Sequence, residues 1–444
     1  MQRPHTISDR QAGALGWLAA HAPGVLLALM ALFILAATLG EGETGPGNGD
    51  RASILVARQL YASTQGTPVD GAAQLRTPGY PLILTGMALL DTDFARGLSC
   101  ASEPPDGCTG AFPFWPLILL QVAAAVLCLA LAFRLAMQLS GSRNIAIIAL
   151  LLTFVWGRFG EFAGSLLPHT WYQLGVMASV YLCATAKTPT RFLAAGLCIG
   201  LTALFEPTSF VLVAVALYAA ARVPKTSLRV RMSCGGLVVL GAVLGVVPLL
   251  ALAHMLGYQN GAIARHLSWA LAERAAFNRL DGVAWWAGLV LPIPMLGDLA
   301  SLLFPTEVMA RFGYYVPGTY VYDGANRIFP EALAQPLAPL MQTLWLAKTY
   351  ILHDPIGYLA ASGPMLVRGL FGAAGLIGLV GILHVPTMRR WSKLEASYQA
   401  TATTVLAAGA LVVVNTLITA NPVNLNPILP FVYAYAIAYV ASGF

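Results

Sequence analysis

Asp50-Arg51-Ala52-Ser53-Ile54-Leu55-Val56-Ala57-Arg58-Gln59-Leu60, followed a short segment later by Arg76-Thr77-Pro78-Gly79-Tyr80-Pro81, is the stretch on which the fold turns. Before it, residues 17–39 are apolar enough to span a bilayer, and the chain from Glu41 to Gly49 is polar and Gly-rich. Asp50 therefore stands at a membrane surface, where an ionisable group beside an apolar chain is a candidate functional site. In residues 51–63, Ile54, Leu55, Ala57 and Leu60 can share one helical face while Arg51 and Arg58 point to headgroups. That pattern predicts an amphipathic helix lying on the outer membrane surface.

Hydrophobic residues make up 58% of the 444-residue chain and charged residues 10%, with a mean hydropathy of +0.71. Soluble domains carry about a quarter charged residues, so the chain is read as one all-α polytopic membrane domain over residues 1–444. The first apolar run has no small-residue cleavage site behind it and reads as an uncleaved span. The net charge of +6 is scattered between spans and gives no sign of a nucleic-acid partner. Cys128, Cys183, Cys198 and Cys234 fall in apolar runs as small buried residues. Cys100 and Cys108 flank a polar loop and are expected to form a disulfide if that loop faces an oxidising compartment.

About ten spans fit the apolar runs: roughly 17–39, 114–137, 144–162, 166–186, 192–206, 208–222, 233–256, 365–387, 398–419 and 427–443. The fifth and sixth are short and read as a hairpin that does not cross squarely. With the N-terminus inside, the short basic loops at Arg143, Lys187 and Arg191, Arg222 to Arg231, and Arg389 to Lys393 all fall on the cytoplasmic side, as the positive-inside rule requires. Two long loops, 40–113 and 257–364, are then external. Residues 79–90 are too short for a span and read as interfacial or re-entrant. Residues 283–304 are interfacial, or one half of a hairpin with 336–352.

One external loop that carries an Asp, a helix and then an R-x-P-G-Y-P segment resembles the membrane-embedded GT-C glycosyltransferases. Within them the likeness is to the family that includes protein mannosyltransferases and lipid A aminoarabinose transferases. Asp50, Ile54, Ala57 and Leu60 occupy that family's loop pattern, with Ile54 where a Tyr is usual and Arg51 where a Glu is common. Ala195 to Pro207 is similar to its Gly-rich hairpin, with Glu206 where Arg is common. His353 to Leu359 and Asn426 to Phe431 resemble segments at late spans, but the Arg-Tyr pair usual before the last is absent.

The resemblance implies an inverting transferase that takes a sugar from a polyprenyl-phosphate donor. The acceptor would be a lipid-linked glycan, an envelope polysaccharide or a protein, and the site would face the periplasm of a bacterial inner membrane. A hydroxyl acceptor needs a base, and Asp50 is the candidate. A departing lipid phosphate needs cations near the membrane surface. Arg51, Arg58, Arg76, Lys348 and His353 are candidates for that contact, Arg76 first because a rigid Pro-Gly-Tyr-Pro turn follows it. Tyr80 is a candidate to position sugar or lipid. No cofactor is implied. Asp91-Thr92-Asp93 is a weak candidate divalent-metal pattern and is read as a chance triplet.

Other readings stay open. Asp50 can also cap the helix that follows it. Glu161, Glu206 and Asp298 lie near membrane depth and are expected to be structurally paired, Glu161 with Arg158. Trp285, Trp286, Tyr314, Tyr315, Tyr320 and Tyr322 suit sugar stacking or an interfacial aromatic belt. A secondary transporter would need ionisable groups in broken helices near the midplane, whereas the polar residues here gather in two loops on one face. The departures from the family pattern also fit an inactive scaffold of the same fold.

Overall fold

The computed structural model describes residues 9–40, 51–67, 77–101, 114–156, 159–223, 226–258, 261–291, 300, 302–313, 317–367 and 395–418. Asp50, Arg76, Cys108, Arg158, Asp298, Tyr314 and Tyr315 lie outside them, as do the span expected at 427–443 and most of that at 365–387. The described residues form helices and turns with no strand. Among the described residues, three helices are long and apolar enough to cross a membrane: His21–Thr38 within α1 (Asp9–Gly40), α5 (Trp115–Ser140) and α11 (Leu228–Met255). Shorter apolar helices accompany them, among them α3 (Gly79–Leu90), α9 (Pro189–Ala203) and the stretch Pro207–Ala221. These helices make the chain a multi-pass membrane protein, helical throughout its described residues.

The expected span 144–162 is instead two pieces, α6 (Arg143–Trp156) and α7 (Phe159–Gly164). α8 (His169–Thr185) follows. The expected short hairpin is α9, a 3-10 turn at Pro207–Phe210 and α10 (Val211–Ala221). α9, however, packs mainly along α11 rather than α10. The cause is two matched Gly-x-x-x-Gly sequences. A Cβ on Gly196 would sit 2.1 Å from the Val238 carbonyl oxygen, and one on Gly200 would sit 2.3 Å from that of Ala242. A Cβ on Gly241 or Gly245 would meet the Leu193 or Leu197 carbonyl oxygen at 2.3 and 2.6 Å. Contacts advance together along both helices, so they run parallel. Inside a bilayer there is no water to drive helices together, and close backbone approach at small residues supplies the attraction. The other face of α11 exposes Val239, Leu240, Val243, Leu244 and Val247, a continuous apolar surface suited to lipid.

The described part of residues 40–113 is built around α2 (Arg51–Thr64), α3 and α4 (Thr92–Ala101). α2 does not lie on the membrane surface with one face free. Ile54 and Ala57 pack with Tyr80, Leu84, Phe94 and Leu117, while Val56 and Leu60 pack with Ala253, Tyr258 and Ala262 at the α11–α12 junction. Leu55, assigned above to the apolar face, is only half-buried. With protein on two sides, α2 is a wedge, and its small Ala57 lets α3 approach closely enough for the Thr85 hydroxyl to donate to the Ala57 carbonyl (3.2 Å).

The described part of residues 257–364 forms a layer with its own core. α12 (Ala262–Ala276), α13 (Gly282–Val290), the segment Tyr320–Leu333 and the helix Pro339–Ala347 enclose Phe277, Phe312, Tyr320, Ile328 and Phe329. So 283–304 contributes a short helix to this layer, joined to it where Trp285 Nε1 donates to the Ala360 carbonyl (2.8 Å). Arg274, fully buried, donates to the Tyr358 carbonyl (2.9 Å), Ser362 Oγ (2.6 Å) and Asn278 Oδ1 (3.2 Å) and lies 4.2 Å from the Tyr358 ring centroid. Tyr358 OH in turn donates to the Leu417 carbonyl near the end of the helix Glu395–Ile418. A buried guanidinium is costly unless its donors are used, and here they tie this layer, through Tyr358, to the helix Glu395–Ile418.

Candidate functional site

Thr77-Pro78-Gly79-Tyr80 docks on the end of α9. The Thr77 hydroxyl donates to the Phe205 carbonyl (2.9 Å) and the Gly79 N–H to the Leu204 carbonyl (2.9 Å). A Cβ on Gly79 would lie 2.7 Å from that same Leu204 oxygen, so only glycine allows the approach. Tyr80 is 1% exposed, and its hydroxyl meets Gln121 Oε1 at 3.4 Å. Gln121 Nε2 donates to the carbonyls of Ala163 (2.8 Å) and Ser165 (2.9 Å). Tyr80 thus anchors the turn to α5 and α7 from a closed position, rather than presenting its ring to a sugar.

Next to the docked turn lies Glu206, at the end of the α9 segment. Its Oε1 accepts from the Thr208 hydroxyl (3.1 Å) and backbone (3.4 Å), and its Oε2 lies 3.7 Å from His266 Nε2 on α12. Burial alone would push this carboxyl up, but the hydrogen bond and charge of His266, with the Thr208 bonds, outweigh it and hold the carboxyl below its ordinary range. Glu206 is therefore structurally paired, joining the end of α9 to α12. A carboxyl whose folded pKa is depressed adds stability that is present above its unfolded pKa and lost as pH falls through the folded one. Glu206→Gln is expected to cost about 2 kcal/mol near neutral pH and to flatten the loss of melting temperature as the pH falls below the ordinary carboxyl range. Thermal melts of the detergent-solubilised variant against the parent check both, and identical acid profiles would remove the pair from the account.

Beside the turn, a cavity of about 680 Å³ runs between α3, α8, α9 and α11. Leu82, Ile83, Gly86, Leu174, Leu201 and Leu252 line it, and Gly79 and Leu204 place it against the docked segment. Its walls are almost wholly apolar, with Thr85, Trp171 and Thr202 the few polar groups.

The remaining expected residues are dispersed. Arg58 is half-buried on α2. Lys348 is exposed at the start of a π-helical turn, Lys348–Leu352, and His353 is exposed just after it. Among the described residues, no hydrogen bond or ion pair joins Lys348 or His353 to Thr77–Tyr80 or to Glu206. Asp91 Oδ1 accepts from the backbone N–H groups of Asp93 (2.8 Å) and Phe94 (3.4 Å) at the start of α4, and Asp93 pairs with Arg96. Both carboxylates are thus engaged locally. Cys100, at the end of α4, is disulfide-bonded, while its expected partner Cys108 lies outside the described residues. His266 gave no sequence signal: it is one histidine in an amphipathic helix, far along the chain from Glu206.

No family model and no curated protein sequence matches the chain. Among solved structures, it is similar to the archaeal oligosaccharyltransferase AglB from Archaeoglobus fulgidus, determined in complex with an inhibitory peptide and a dolichol-phosphate. The TM-score is 0.51 at 13% identity, over 96% of this chain and 51% of that one. The chain thus spans about half the length of AglB. A second similarity is to ArnT from Cupriavidus metallidurans bound to undecaprenyl phosphate, with a TM-score of 0.41 at 14% identity, over 96% of this chain and 79% of that one. The likeness is one of fold: the helical arrangement of this chain is shared with about half of AglB.

Proposed function

We propose that this chain is an inverting glycosyltransferase that uses a polyprenyl-phosphate sugar. The observation that carries this reading is the apolar cavity set against the docked Thr77–Tyr80 turn. An isoprenoid tail needs such a cavity, and its phosphate must then rest at the polar rim. Arg76 immediately precedes Thr77 in sequence and is the cation assigned to that phosphate. Asp50 immediately precedes α2, which packs on α3, and is assigned as base. In the proposed step Asp50 takes the proton of an acceptor hydroxyl as its oxygen attacks the anomeric carbon. The bond from that carbon to the phosphate oxygen breaks, and Arg76 offsets the charge left on the lipid phosphate. A sugar already carrying a phosphate leaving group needs no cofactor. About ten spans, a single domain over 1–444, loops 40–113 and 257–364 at the periplasmic face of a bacterial inner membrane, and a glycan, lipid or protein acceptor complete the proposal.

Gly86→Trp tests it. A Cβ at Gly86 meets nothing within 4 Å, and the residue lines the cavity, so an indole can enter the space without disturbing the helix packing. The expected result is a rise of about tenfold or more in KM for the polyprenyl-phosphate sugar, equivalent to ~1.4 kcal/mol of lost tail burial, with an unchanged melting temperature. Unaltered KM in a folded variant would remove the cavity, and with it the main support for a lipid-phosphate donor.

A further inference from the structure

A second cavity, of about 470 Å³, opens in the layer around α12 and has the opposite character. Arg279, Arg311, Arg327, Tyr320, Tyr322 and Asp323 line it, and it shares no lining residue with the apolar cavity. Arg327 is held by Asp323 through two bonds (2.7 and 2.8 Å). Arg311 lies 3.8 Å from Asp281 and 4.5 Å from the Tyr320 ring centroid. Arg279 makes no side-chain hydrogen bond, ion pair or ring contact among the described residues. Among the lining groups one carboxylate, Asp323, faces three guanidinium groups. Asp281 pairs with Arg311, and Glu331, outside the lining, also acts on Arg327, so that Arg279 is the guanidinium left without a direct carboxylate partner among the described residues.

The walls are fixed before any ligand arrives. Tyr320 is 3% exposed, stacked within 5.1 Å of Phe277 and 5.4 Å of Phe312, and its buried hydroxyl has no hydrogen-bond partner among the described residues. Arg327 and Asn326 ride on a π-helical turn, Gly324–Ile328, pressed so closely on α12 that a Cβ on Gly324 would fall 2.5 Å from Glu273 Cα. Such π turns are enriched at functional sites.

Guanidinium groups are planar and forked and match carboxylate or phosphate oxygens, and tyrosine and asparagine offer a ring face and amide donors to a sugar. Guanidinium, carboxylate, hydroxyl and amide groups stand in this lining, where the cavity beside the docked turn has leucines. We propose that this cavity binds a saccharide bearing an oxyanion, either a carboxylate or a phosphate, as the recognised part of the glycosyl acceptor. This rests on the transferase reading and extends it by naming the acceptor class.

The test uses the full-length protein in detergent, titrated with glucuronic acid, glucose 6-phosphate and glucose. The first two separate carboxylate from phosphate as the source of the charge. Binding of at least one of them and not of glucose is expected, weakening as salt is raised because exposed guanidinium charge is screened. Arg279→Gln should weaken it at least tenfold with an unchanged melting temperature, since that side chain holds no partner, and Tyr322→Ala on another wall should weaken it as well. Equal binding of glucose, or full affinity in Arg279→Gln, overturns the proposal. So does an Arg279→Gln variant that loses affinity for polyprenyl phosphate instead, since the cavity would then serve the donor. Anion-selective binding in a protein that transfers nothing from any polyprenyl-phosphate sugar would sink the transferase reading while leaving the cavity's oxyanion preference standing.

Discussion

Gly200→Ala and Gly241→Ala are each expected to prevent accumulation of folded protein, whereas Gly236→Ala should leave it intact. The same added methyl group meets opposite surroundings. At Gly200 and Gly241 a Cβ would lie 2.3 Å from a backbone carbonyl oxygen of the facing helix, and a backbone cannot swing aside as a long side chain can. α9 and α11 would have to separate along their shared seam, at a cost of about 3 kcal/mol or more, the upper end of what overpacking exacts. At Gly236, also on α11, nothing lies within 4 Å, and alanine is the better helix former by about 1 kcal/mol. Size-exclusion profiles and thermal melts of the three variants decide the matter. A wild-type melt for either Gly200→Ala or Gly241→Ala would mean that the helices do not approach as described.

Asp50→Asn is expected to reduce sugar transfer by about 100-fold or more while leaving the protein inserted and monodisperse. Asparagine keeps the shape of the side chain and caps a helix about as well as aspartate, so a purely structural Asp50 would tolerate it and only Asp50→Ala would lose stability. An amide cannot take a proton from an acceptor hydroxyl, so a base at this position fails equally as Asn or Ala. Single-turnover transfer from a radiolabelled polyprenyl-phosphate sugar separates the two outcomes. Near-normal turnover by Asp50→Asn would end the assignment of Asp50 as base.

Local signals carried most of the secondary structure. Hydropathy marked α1, α5 and α11, and an apolar-basic alternation marked α2 at 51–63, where the helix runs Arg51–Thr64. The apolar run at 79–90 marked α3, whose helix runs Gly79–Leu90. What stayed hidden depends on partners distant in sequence. Nothing near Ala57 announces that α3 will cover it, so a helix with two protein neighbours looked like one with a lipid neighbour. Glu206 was conspicuous as a charge at membrane depth, but His266 was not. The pairing of α9 with α11 had a visible mark in Gly196, Gly200, Gly241 and Gly245, whose common spacing of four is a packing signature. Tyr80 stood out for its motif as a candidate to position sugar or lipid, but nothing in the sequence hinted that its ring is buried and its hydroxyl directed at Gln121 on α5.

The Arg274 thread sets an order on how the protein is made. Its guanidinium sits in α12, but the carbonyl that receives it belongs to Tyr358, 84 residues further along, and the Tyr358 hydroxyl waits in turn for Leu417. While the ribosome is still working towards Tyr358, Arg274 has, of the acceptors described, only its near neighbour Asn278, and its remaining donors must be solvated or held by another protein. The layer around α12 is therefore closed by the helix Glu395–Ile418, made well after α12 itself. Polypeptides released before that helix should present an open α12 to quality-control proteases, so a truncation there would be read by the cell as a failure of a layer whose own sequence is intact.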